Sequence, residues 1–261
     1  MNYRDADDEY FQVFAEHSSS MISAMKRTVF PKTYRAMFGF CAKTNGLKTG
    51  MFECIDTNNP YSFKVLLRSF IEHYLKFMYI WTRFVSERSD DVGKEYFSFC
   101  GAVEAHEYVA AFATLESLLG NKVTVDAEEA VARLYPDASA LSKRELDRLS
   151  GQFKHRSILR FLADEGTHFI ARERPFLANF VPIYAELSSF VHGGPYTDLE
   201  MPSFATPSAI ALCETNAEVV VLMAASVFQL TAGAVAREFP EYIEIAPKVG
   251  EVLDRFSKSD A

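Results

Sequence analysis

The sequence predicts an all-α protein built as a single multi-helix bundle. Three observations lead there. Apolar residues recur at three- and four-residue spacing through most of the chain. Pro, Asn and Gly stand between those runs, where helices start and stop. The only strand-like stretch, 122–125, is too short to found a sheet. With 23 Phe and 12 Tyr among 261 residues, the core of such a bundle is expected to be built largely from rings.

The first helix is expected over residues 5–29, its acidic start suiting the positive end of a helix dipole. Pro31 fits the first turn of a second helix, with a kink or break expected at Asn45-Gly46. Thr57-Asn58-Asn59-Pro60 is a stop, and Asn59 a cap for a strongly apolar helix over 61–87. Ser89-Asp90-Asp91 offers a cap for a fourth helix, closed by Gly120-Asn121. The middle is more polar, with a short helix at 126–134 and another at 141–164 that has a weak point at Gly151. Residues 122–165 therefore read as a peripheral helical insertion on one domain spanning 1–261. Helices near 174–192, 207–238 and 241–257 complete the chain, and no fixed-period repeat is present.

Composition bounds the function. A net charge of −8 argues against broad, non-specific binding of nucleic acid. Cys41, Cys54, Cys100 and Cys213 are widely separated and set among apolar neighbours, as expected of reduced thiols in the cytoplasm. The 18 residues from Val219 to Ala236 carry no charge, which reaches the lower edge of a membrane span. Polar Ser226, Gln229 and Thr231 interrupt them, so a buried core helix is the expectation, with no membrane partner. No phosphate-binding glycine loop, no nucleophile elbow and only one ExxH spacing (165–168) occur, so neither cofactor nor metal is expected.

Two four-residue ladders stand out. Arg68, Glu72 and Lys76 share one face of the third helix, and Tyr184, Ser188 and His192 share one face of a later one. Four residues advance a helix by about 40° beyond a full turn, so each ladder drifts slowly round its helix. Tyr184 lies in the middle of an apolar face, while His192 sits about 80° away at its rim. A rim histidine is a candidate general acid or base, and Arg68 a candidate for a developing negative charge. The same residues equally suit a buried network that fixes helix packing. Buried polar groups seek partners, so the ladders are expected to meet in one shared site of Arg68, Glu72, Tyr184, Ser188 and His192. Separately, residues 143–160 set six Lys and Arg against Glu145 and Asp147. Lys154, Arg156 and Arg160 in that segment are candidate contacts for nucleic-acid phosphate, with a solvated helix face as the ordinary alternative.

The runs LLRSFIEHYLKFMYI and IYAELSSFVHGG together resemble an uncharacterised bacterial all-helical family with an R-S-x-x-E helix and a Y-x-x-L-S-x-x-x-H helix. Arg68, Ser69, Glu72, Tyr184, Leu187, Ser188 and His192 match those patterns. That resemblance implies an all-α fold and no particular activity. More distantly the chain is similar to HEPN domains, helical modules that include metal-independent ribonucleases of toxin and phage-defence systems. Their motif sets an Arg shortly before a His on one helix, whereas here Glu186 and Leu187 precede His192. Two expectations follow. The first is a non-catalytic interaction or regulatory module meeting a protein partner or a second copy. The alternative is a HEPN-like ribonuclease or nucleotide-processing enzyme in which RNA is the partner.

Overall fold

A computed structural model describes residues 1–121, 127–164 and 174–258, and among them every regular element is helical. Helix α1 (Tyr3–Ala24) is capped by Asn2, whose side-chain oxygen accepts from the Arg4 and Asp5 amides, both at 2.9 Å. A 3-10 turn leads to α2 (Pro31–Asp56), which starts at its proline and runs unbroken through Asn45-Gly46. The expected break does not occur because Thr44, Lys48 and Met51 are buried on both sides of that pair, and packing overrides the weak local propensity. Asn59 caps α3 (Pro60–Glu87) by accepting from the Ser62 amide at 3.1 Å. Helix α3 ends with Arg88 in the left-handed region at φ 53°.

Asp90 departs from its expected role. It makes no side-chain cap on the helix it precedes, α4 (Asp91–Glu95). Its carboxylate turns back to the start of α2, accepting from the Thr33 amide at 2.7 Å and the Lys32 amide at 3.2 Å. Helix α4 passes through a π-helical turn, Tyr96–Cys100, into α5 (Gly101–Leu118). The expected single helix at 141–164 is two. After α6 (Ala127–Leu134) and α7 (Pro136–Ser139), α8 (Lys143–Ser150) carries a capping box between Ser142 and Glu145. A 3-10 turn at Gly151–Phe153 separates α8 from α9 (His155–Leu162). Then follow α10 (Arg174–His192), α11 (Pro195–Glu200), α12 (Pro207–Ala236) and α13 (Ile245–Lys258). The strand-like 122–125 and the ExxH stretch 165–168 lie outside the described residues.

Helices α2, α3 and α12 form the centre, with α1 and α13 packed on α12 and α10 on α3. The core is aromatic as the composition foretold: Tyr34, Phe40, Phe63, Phe70, Phe77 and Phe228 are all fully buried. The charge-free stretch belongs to α12, which is long and apolar enough to cross a membrane, yet 67% of its most apolar window is buried inside the bundle. A helix apolar on every side suits such a central position.

Lys48 is the most deeply buried charged side chain among the described residues. It is 1% exposed, pairs with Asp7 on α1, and donates to the Tyr10 hydroxyl at 2.7 Å. The rings of Tyr10, Phe11 and Phe52 surround its ammonium at 4.7, 5.8 and 5.9 Å.

The insertion is smaller than the sequence suggested. Ala102, Val131, Ala138 and Leu146 make a satellite cluster of their own, so α6 to α8 are peripheral. Phe153, Ile158, Leu159 and Leu162 instead join the main core, which ties α9 to α3. The physical reason is the break at Gly151–Phe153, which frees α9 to turn a fully apolar face inward.

Candidate functional site

The Arg68–Glu72–Lys76 ladder forms as a unit. Arg68 donates to one oxygen of Glu72, and Lys76 donates to the other at 2.9 Å. Burial pushes the Glu72 carboxyl up, but Lys76 and Arg68 outweigh it and hold it at about 2. The second helix joins through Tyr184. Its hydroxyl reaches Glu72 Oε2 at 3.5 Å, a long contact, while the Arg68 guanidinium carbon lies 4.0 Å from the Tyr184 ring centroid. Arg68 Nε is buried without a hydrogen-bond partner, and the ring gives the guanidinium an electrostatic partner instead.

A residue missing from the sequence-based site completes the arrangement. The His155 ring stacks on Tyr184 with centroids 3.7 Å apart and planes 19° apart. Two groups this close cannot share a ring face, so Arg68 and His155 sandwich Tyr184 from opposite sides. Three helices, α3, α9 and α10, are thus joined by one stack. Burial first, then neighbouring Arg156 and Arg68, lowers the His155 pKa, leaving a neutral ring that does not repel those cations. His155 was legible in principle. It precedes Ile158 and Leu159 by three and four residues, which places it on the apolar face of α9. The charge of the surrounding segment hid that periodicity.

The rest of the α10 ladder does not converge on the site. The Ser188 hydroxyl is turned to its own helix, donating to the Tyr184 carbonyl at 2.7 Å. His192 is exposed and has no hydrogen bond or ion pair among the described residues. The drift of a four-residue ladder is the cause: two steps rotate His192 by about 80°, enough to carry it from the core to solvent. Glu186, which stands where a HEPN arginine would precede the histidine, pairs instead with Lys64 of α3 at 3.1 Å.

Two openings flank the stack and meet at His155, Arg156 and Tyr184. One, of about 690 Å³, lies between α9 and α10, with Leu159, Val181 and Ala185 in its walls and Arg156 and Arg160 beside them. The other, of about 530 Å³, is bounded by Glu72, Lys76, Cys100, Glu104 and Lys154. The π turn ends at Cys100, so an irregular helix segment borders this second opening, a setting in which π turns often occur. Burial pushes the Cys100 thiol up to about 12, which keeps it protonated. Of the basic candidates, Lys154, Arg156 and Arg160 are all exposed and none has an acidic partner among the described residues. Among the described residues no cluster of His, Cys, Asp and Glu has the makings of a metal site. Comparison with known protein families, curated proteins and solved structures finds no match.

The held carboxylate has a measurable consequence. A carboxyl whose folded value is depressed stabilises the fold above its unfolded value, near 4.5, and that stability is lost as pH falls through about 2. In Glu72→Gln the contribution is gone. Urea midpoints measured from pH 6 down to pH 2 are therefore expected to converge for the two proteins at the acid end. A gap that stays constant across that range contradicts the assignment.

Proposed function

We propose that the protein is a non-catalytic helical binding module, in which the Arg68–Tyr184–His155 stack and the Glu72 ion pairs hold α3, α9 and α10 in register beside an open cleft. The observation that carries this reading is that the Glu72 carboxylate and the Tyr184 ring are already occupied by neighbouring groups of the site. Both Glu72 oxygens are taken by cations of the same helix, and both faces of Tyr184 are covered. A general acid or base needs a lone pair or proton aimed at open space. The Glu72 carboxylate offers none, the Cys100 thiol is held protonated, and His192 makes no contact with Arg68 among the described residues. A partner surface is consistent with α5, where Tyr108, Phe112 and Leu115 lie exposed at helical spacing.

The competing HEPN-like ribonuclease reading makes the opposite demand, for an Arg and a His brought together on a phosphate. Single-stranded RNA incubated with the purified protein in EDTA separates the two. No cleavage is expected, and His192→Ala is expected to leave the melting temperature unchanged. Metal-independent cleavage that disappears in His192→Ala, with the fold intact, overturns the module reading.

A further inference from the structure

We infer that the cleft between α9 and α10 binds an alkyl carboxylate: a free acid with an extended hydrocarbon chain, its head group held by Arg156 and Arg160. The inference rests on the binding-module reading and supplies its ligand. Three features of the cleft carry it.

The first is size. At about 690 Å³ the opening falls within the range of small-molecule sites, roughly 300–1,000 Å³. The second is the wall chemistry. Leu159 from α9 with Val181 and Ala185 from α10 give aliphatic sides. Val181 is 57% exposed, a large apolar side chain left facing the opening rather than the core. The third is charge. Arg156 and Arg160 are four residues apart, so they share one face of α9, and both line the cleft. Neither is paired with a carboxylate among the described residues, in a protein of net charge −8 in which buried Lys48 and half-buried Arg68 and Arg83 are all paired. Two unpaired guanidinium groups beside an apolar slot complement a carboxylate at the end of a hydrocarbon chain.

The same geometry disfavours a nucleotide. A base would gain most from stacking on Tyr184, but Arg68 and His155 already cover that ring on both sides. The aliphatic part of the wall suits a hydrocarbon chain, which needs no polar partner along its length.

The test titrates the full chain by calorimetry with hexanoate, octanoate and decanoate below their micellar concentrations, with decanol and acetate as controls. Saturable one-to-one binding of decanoate is expected, with affinity rising by about fourfold per added methylene. Acetate is not expected to bind. Arg156→Gln/Arg160→Gln should weaken decanoate by at least about tenfold, the scale of a lost charge-assisted contact, while leaving decanol unchanged. Val181→Asp, a change at an exposed position, should abolish binding of the acids without lowering the melting temperature. Decanoate that fails to bind, or binds equally to all variants, overturns the inference. So does binding to anionic phospholipid vesicles without binding of monomeric acid, or arginine-dependent binding of single-stranded RNA without binding of the acids. Absence of acid binding with no RNA cleavage removes this ligand class alone, whereas RNA cleavage removes the module reading itself.

Discussion

Asp7→Ala is expected to destabilise the protein by about 3–5 kcal/mol, the cost of leaving one member of a buried ion pair without its partner. The effect should be asymmetric. Lys48 is 1% exposed and Asp7 14%, so removing the acid strands an ammonium that cannot reach water. Removing the lysine leaves a carboxylate nearer the surface, able to rotate outward or take up a proton. Burial pulls the two groups toward their neutral forms: it lowers the Lys48 pKa against the attraction of Asp7, and raises that of Asp7 against the attraction of Lys48. The ionised pair therefore contributes little net stability, although breaking it is costly. Lys48→Met should be the milder single change, and Asp7→Leu/Lys48→Met should recover most of the loss. Urea denaturation of the four proteins decides this. A double variant that is as unstable as the sum of the two single ones contradicts it.

Gly93→Ala is expected to be the second severe change. A Cβ at this position would meet the Thr33 amide nitrogen at 2.2 Å and the Lys32 carbonyl carbon at 2.5 Å. Those are backbone atoms of the first turn of α2, so no side chain can swing away to make room. The turn has to move, and with it go the two amide bonds that Asp90 accepts. Overpacking typically costs about 1–3 kcal/mol, and a lost cap adds roughly 1 kcal/mol. In a protein of this size each kcal/mol lowers the melting temperature by about 2–4 °C, so a fall of about 4–16 °C is expected by calorimetry. Gly39→Ala, in the same α2 with nothing within 4 Å of the added methyl, serves as the control and should leave the midpoint unchanged or raise it slightly.

The contrast between these positions shows what the sequence could and could not convey. Helix type and order were written in periodicity and punctuation, and Pro31, Asn59 and Gly120 mark real boundaries. Arg68, Glu72 and Tyr184 were legible as a site because charged and hydroxyl groups on apolar helix faces have to find one another. Local pattern says little about which helices those groups will meet. Asp90 reads as a cap for its own helix and caps another 57 residues away from its partner Thr33. His155, hidden within a basic run, ends up stacked in the site, while His192, the residue that looked catalytic, points to solvent. Lys48 carried no warning at all, since a lysine within a helix is ordinarily a surface group.

The π turn at Tyr96–Cys100 places two demands on one continuous helix and satisfies both. Upstream, Val92 and Gly93 must face α2; downstream, Ala102 must face the satellite formed by α6 to α8. A regular helix fixes the angle between any two of its residues, so it cannot adjust one end without turning the other. One extra residue in a turn resets that angle by about 100°. The turn thus works as a phase shifter, setting the satellite's orientation independently of the core. Deleting a single residue there would leave a good helix pointing the wrong way.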